Sequence, residues 1–304
     1  MGLIWGILEN QRSAGATATT LSTIVNASFP VQNMHIDVYS LKNATTASSL
    51  LVEVQKLQEV HLNTTAGTPE SSIRGQDLFD FHPTALGRSS YISVLTAVDN
   101  DPHMFATSYP FSPFPDDPTE NFGLPANRAT TFEMQFIADT AASFDTYTYD
   151  LTLEGVDAGT RPNPKGYIKF VRDEQTLAVG SAVFTRFVAK RLLGIFNFVT
   201  TSFDDLAAAA AIDVTTIRTQ EIAFSRNTVY GPFRPARAAA FQWLPMITAS
   251  PPILLDNGDH FENFGINNRM GDLGLDVSKE TLTEIKTTGG AANAARIYPV
   301  CLVQ

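Results

Sequence analysis

Between Thr146 and Glu154 the chain reads TYTYDLTLE, so that Tyr147, Tyr149, Leu151 and Leu153 alternate with Thr, Asp and Glu. Successive side chains of a strand point to opposite faces, and this spacing predicts a half-buried strand with one wet face. Phe132–Phe136, Met34–Val38 and Val52–Val54 repeat the alternation. Tyr91–Val98 and Tyr167–Val171 are shorter β-branched or aromatic runs bounded by turn residues, and they too predict strands. Helical signals are fewer. Asp204 and Asp205 are placed to cap a short helix over Leu206–Ala211, because a carboxylate accepts the free N–H groups of a first turn. Phe184–Val199 is almost wholly apolar and fits either two buried strands or one core helix. Ser278–Lys286 is equally ambiguous.

Pro-rich stretches separate these runs, notably YPFSPFPDDP (Tyr109–Pro118) and ASPPILLDNG (Ala249–Gly258). Greek-key sandwiches use such long irregular connections to cross from one sheet to the other. A repeat divides the chain further. Glu-Asn-Phe-Gly occurs at Glu120–Gly123 and at Glu262–Gly265, and Asp117, Met104, Ser108 and Pro110 match Asp259, Met246, Ser250 and Pro252 at the same spacing. After a one-residue slip Arg128 meets Arg269 and Thr140 meets Thr281, while Phe132, Met134 and Phe136 fall on Leu273, Leu275 and Val277. Tyr149, Leu151 and Leu153 align with Tyr298, Val300 and Leu302 at the chain's end, and Glu53, Val54 and Leu57 with Asp213, Val214 and Ile217.

These collinear matches predict two copies of one β fold, each taking about half of the 304 residues. Half a chain of that length suits a jelly roll of eight strands in two sheets. The fold expected is mainly β: two tandem jelly-roll sandwiches with a few short helices. The expected division is an N-terminal arm over 1–20, a first sandwich over 21–155, a Gly/Pro-containing linker over 156–166 and a second sandwich over 167–304.

Composition narrows the chemistry. Hydrophobic residues make up 44% and charged residues 17%, as in an ordered globular protein. A net charge of -10 without a Lys/Arg cluster argues against a nucleic-acid groove, since phosphate binding needs concentrated positive charge. The single cysteine, Cys301, excludes an intramolecular disulfide and a cysteine-based zinc site. Leu3, Ile4, Ile7 and Leu8 would share one face of a helical turn or two. Such an arm either packs on its own protein or a neighbour, or lies on a membrane surface. Asn26, Asn43 and Asn63 each open an Asn-x-Ser/Thr triplet, common by chance in a Thr-rich chain. Phe184–Gly194 carries the densest basic content, Arg186, Lys190 and Arg191 among apolar residues, which reads first as a strand or helix with snorkelling cations.

Five histidines (His35, His61, His82, His103 and His260) show no His-x-His or His-x-x-x-His pair, so clustered imidazole ligands are not expected. Asp116, Asp117 and Glu120, with Asp256, Asp259 and Glu262, are the oxygen-rich loops that would supply Ca²⁺ ligands, but they lack the spacing of a calcium loop. Glu120 and Glu262 as a catalytic carboxylate pair rank lower still. No phosphate-loop or nucleophile-elbow motif appears. The sequence thus points to a non-enzyme with no catalytic residue, cofactor or metal assigned. Phe122 and Phe264, each between Asn and Gly, read as rings plugging a corner of the fold.

A tandem pair of sandwiches in about 300 residues resembles the double jelly-roll major capsid proteins of tailless icosahedral viruses. The resemblance covers nearly the whole chain and rests on the duplication rather than on a diagnostic motif. It implies a self-assembling coat subunit of the virion: three copies, each with two barrels, approximate a hexagon that tiles a closed shell. It also implies neighbouring capsomers as partners, and an internal membrane or minor capsid proteins contacted through the N-terminal arm. A receptor- or carbohydrate-binding spike or tail protein on tandem sandwiches is the second reading, and a tandem-sandwich hydrolase the third.

Overall fold

The computed structural model describes residues 3–14, 18–42, 56–63, 69–86, 90–93, 100–113, 121–136, 144–157, 164–199, 212–221, 226–233, 260–264, 274–278, 282–289 and 293–304. The chain forms two compact units: Met1–Phe79 with Ser90–Ile168, and Asp80–Ser89 with Lys169–Gln304. The first unit carries β1 (Leu3–Ser13), β2 (Thr19–Val25), β3 (Val31–Lys42), β4 (Leu57–Asn63) and β5 (Pro69–Arg74). It continues with most of a short helix α1 (Gly75–Phe81), then β6 (Tyr91–Ile92), β7 (Pro102–Pro110), β8 (Thr130–Phe136) and β9 (Phe144–Val156). One sheet runs β1-β9-β3-β7-β6 and the other β2-β8-β4-β5, with every pair antiparallel.

Period-two alternation explains the inner faces. In β8 Thr130, Phe132, Met134 and Phe136 are buried while the residues between them are half-buried. In β3 Met34, Ile36 and Val38 are buried, and β9 supplies Tyr149, Leu151 and Leu153 beside them. Tyr109 and Phe132 meet edge to face across this core, the geometry that the ring quadrupoles favour. The Tyr109 hydroxyl is hydrogen-bonded to Ser71, so a buried polar atom keeps a partner.

The second unit carries a π-helical turn (His82–Leu86), β10 (Tyr167–Phe170), β11 (Asp173–Leu177), β12 (Ala182–Phe187) and β13 (Arg191–Val199). After these come β14 (Ile212–Glu221), β15 (Arg226–Phe233), β16 (His260–Asn263), β17 (Leu275–Asp276), β18 (Leu282–Gly289) and β19 (Asn293–Val303). Its sheets run β10-β19-β13-β16, with β11 on β19 and β17 on β13, and β12-β18-β14-β15. Leu192, Ile195, Val277, Ile285, Ile297 and Cys301 form one core cluster. Phe81 forms another centre, with Phe170, Phe196 and Phe261 set edge-on around it at 5.0, 5.3 and 5.8 Å.

Setting aside the two-residue β6, and β11 and β17, which pair off the main path of their sheet, the eight remaining strands of each unit can be ranked in chain order. Both units then give the same two sheets, 1-8-3-6 and 2-7-4-5. This crossing order is that of a jelly roll, so the chain is a double jelly roll.

Several sequence expectations change in detail. Leu3–Ser13 is an edge strand paired with β9 rather than helical turns, so Leu3, Trp5 and Ile7 share one face and Ile4 points to the other. The apolar run Phe184–Val199 resolves into strands β12 and β13, and most of Ser278–Lys286 that is described lies in β18. The Glu-Asn-Phe-Gly match joins unlike elements. Glu262 and Asn263 lie in β16, sixth in its unit, whereas Asn121–Gly123 follows β7, the sixth strand of the first unit. Likewise the structural counterpart of β8 is β18, not the Leu273–Val277 stretch. The end-of-chain alignment and that of Leu57 with Ile217 do join counterparts, β9 with β19 and β4 with β14. The helix expected over Leu206–Ala211 lies outside the described residues, as does Val52–Val54.

Candidate functional site

Of the acidic residues singled out for chemistry, only Glu262 is described by the structure. Asp116, Asp117, Glu120, Asp256 and Asp259 lie outside the described residues. Glu262 is 2% exposed on β16, opposite Ile195 of β13, and does not line an open loop. Five of the six residues of the Ca²⁺ reading, and Glu120 of the carboxylate pair, thus lie outside what the structure describes. Among those residues, no group of three or more His, Cys, Asp or Glu is arranged to hold a metal ion. No described helix is long and apolar enough to cross a membrane. Asn63 is buried and unsuited to carry a glycan, whereas Asn26 is exposed.

Phe122 and Phe264 take different roles. The Lys165 ammonium sits 5.5 Å over the Phe122 ring, and the Lys165 N–H donates to the Asn121 carbonyl. Phe264 packs against the Ile195 core cluster of the second unit, its N–H donating to the Leu193 carbonyl. Cys301 is fully buried, and desolvation pushes its thiol pKa up to about 12, which disfavours the nucleophilic thiolate.

What the described residues do form is two unlike surfaces. On the first unit, the outer face of the β1-β9-β3 ladder begins with the exposed row Leu3, Trp5 and Ile7 on β1, a sheet edge. The Trp5 ring stacks on His35 at 5.2 Å, and His35 Nε2 lies 2.7 Å from Glu154 Oε2. Asp37 stands directly across from Asp150 on the same face. Burial pushes the Asp37 carboxyl above the usual carboxylate range, against the pull of His35 and with a further push from Asp150. Tyr91 of β6, also exposed, is in register with Ala106 of β7, which is itself in register with Asp37. No Lys or Arg occupies this face among the described residues.

On the second unit, β12 is also a sheet edge. On β12 Phe184 and Arg186 are exposed while Thr185 and Phe187 are buried, and Val188 and Lys190 are exposed in the connection that follows the strand. Across the ladder Lys286 faces Phe184, and Glu284 accepts from Arg186 Nε at 2.9 Å. The snorkelling reading of Phe184–Gly194 holds for the cations, which face outward, but Phe184 and Val188 face outward with them while Thr185 is buried. Sequence reasoning did not single out the Trp5–His35–Glu154 group. Its only sequence signal is the alternation of Leu3, Trp5 and Ile7, which is hidden by the equally apolar Ile4 and Leu8.

The fold is thus that of double jelly-roll proteins. Solved structures agree over the full length. The chain is similar to the STIV MCP, at 10% identity and a TM-score of 0.70, covering 100% of this chain and 97% of that one. It is similar to the PBCV-1 virus capsid, at 9% identity and a TM-score of 0.63 over 99% and 93%. The major capsid protein of bacteriophage PM2 matches at 13% identity and a TM-score of 0.59, over 99% and 98%. No family model and no curated protein matches the sequence.

Proposed function

We propose that this chain is a capsid subunit of a virion that associates with copies of itself, three at a time, into pseudo-hexagonal blocks. The observation carrying this reading is the identical strand order, 1-8-3-6 and 2-7-4-5, present twice in one chain. Two similar barrels per subunit turn threefold symmetry into an approximate sixfold outline, which tiles a shell with few kinds of contact. The full-length likeness to capsid structures supports the same reading. A structural subunit of this kind needs no catalytic centre. Self-association is the principal partnership. The strand geometry of Leu3–Ser13 removes the amphipathic-helix argument for a membrane contact.

Light scattering coupled to gel filtration, with negative-stain microscopy, tests the proposal. Trimers or shell fragments are the expected result; a monomer at every accessible concentration refutes it. A second reading, a carbohydrate- or receptor-binding protein, draws on the exposed rings of Trp5 and Tyr91, since aromatic faces stack on sugars. Glycan-array binding by a monomer would favour it.

A further inference from the structure

We infer that the acidic, aromatic outer face of β1-β9-β3 receives the basic β12 edge of a second copy of this chain. The inference rests on the self-association proposed above and names the surfaces that meet. Three observations carry it.

First, both surfaces keep large apolar side chains in water. Trp5 is 57% and Ile7 76% exposed on one, and Phe184 is 42% and Val188 62% exposed on the other. A row on the β1 edge, and Phe184 on the β12 edge with Val188 just past its end, mark interaction surfaces rather than scattered exposure. Second, the charges are opposite. Asp37, Asp150 and Glu154 stand on the first face with His35 as its one described basic group. Arg186, Lys190 and Lys286 stand on the second with Glu284 as its one described acid. Facing potentials of opposite sign steer association and fix register. Third, the two surfaces belong to different units, so their union is heterologous. Such a contact generates a ring when the rotation closes, whereas like-on-like contact of either surface would oppose equal charges.

Sedimentation equilibrium of the full chain provides the test, with Asp37→Lys and Arg186→Glu as single variants and together. Each single reversal is expected to raise the dissociation constant at least about tenfold, and the double reversal to return it to within about threefold of wild type. Lys190→Glu, at an exposed side chain, repeats the test should Arg186→Glu fail to fold; circular dichroism melts report folding for each variant. Single reversals that leave the constant unchanged in a self-associating wild type overturn the inference and leave the capsid reading standing. Reversals that abolish glycan binding while association persists overturn it as well. A monomeric wild type refutes the parent reading itself.

Discussion

Asp37 and Asp150 face each other directly across the β3–β9 ladder, and after burial their two carboxylates push the neighbouring Tyr39 hydroxyl's pKa up. Like charges directly opposite on a sheet destabilise it by roughly 0.2–1 kcal/mol. Burial chiefly raises the Asp37 carboxyl, so the folded chain holds this proton more tightly than the unfolded chain. The group therefore favours folding at low pH, and that contribution is lost as pH rises through its folded-state range. Asp37→Asn is expected to raise the melting temperature of dilute protein at neutral pH and to change nothing near pH 3. A constant difference across a pH series of melts would contradict this.

Phe81 is 0% exposed at the centre of the Phe170, Phe196 and Phe261 rings. Phe81→Ala leaves a cavity and removes three edge-to-face contacts, at a cost of about 3–5 kcal/mol. Hydrogen exchange is expected to accelerate in β13, β16 and β19 and to stay unchanged in β3 and β9. Uniform acceleration through both units would contradict the local role given to this ring.

A Cβ on Gly194 would lie 2.2 Å from the Phe261 ring and 2.7 Å from the Glu262 carbonyl oxygen. The residue sits at an irregularity in the β13–β19 register, where β13 also pairs β16. Gly194→Ala is expected to displace β16 and cost about 1–3 kcal/mol or more in denaturant unfolding. Gly6→Ala, whose Cβ would meet Phe29 at 3.4 Å, serves as the tolerant control.

Cys301 offers a probe that leaves the fold untouched. With its thiol buried and its pKa pushed up to about 12, it is expected to resist a thiol-reactive dye in native protein at pH 8. One equivalent should react after denaturation. Rapid native labelling would mean that β19 opens far more readily than its position in the core cluster indicates.

Strand content was legible wherever one face of a sheet is wet. In β8 and β9 the polar residues between Phe132, Met134 and Phe136, or between Tyr149, Leu151 and Leu153, write the pleat directly into the sequence. Where both faces are apolar, as in Arg191–Val199, periodicity does not separate strand from helix, and only the pairing with β16 and β19 does. The duplication was legible in kind but partly misread in register. Tyr149 and Tyr298 sit on counterpart strands, whereas the shared Glu-Asn-Phe-Gly falls inside a strand in one unit and beyond one in the other. Short tetrapeptides recur without sharing an environment: Glu262 is buried in a ladder, while Asn121 and Phe122 are half-buried in a connection. Helix α1 left no periodic signature, since seven residues complete only two turns. The facing surfaces were invisible for another reason. Which charges share a face depends on strand pairing between residues more than a hundred positions apart, as with His35 and Glu154.

Phe81 carries one more implication, for biosynthesis. It leaves the ribosome well before Phe170, Phe196 and Phe261, the rings that enclose it. For that interval the nascent chain holds out an unsheltered aromatic hook whose socket has not yet been made. A split gene encoding the later barrel as a separate polypeptide would deliver a socket without its hook, leaving that barrel to fold around an unfilled centre.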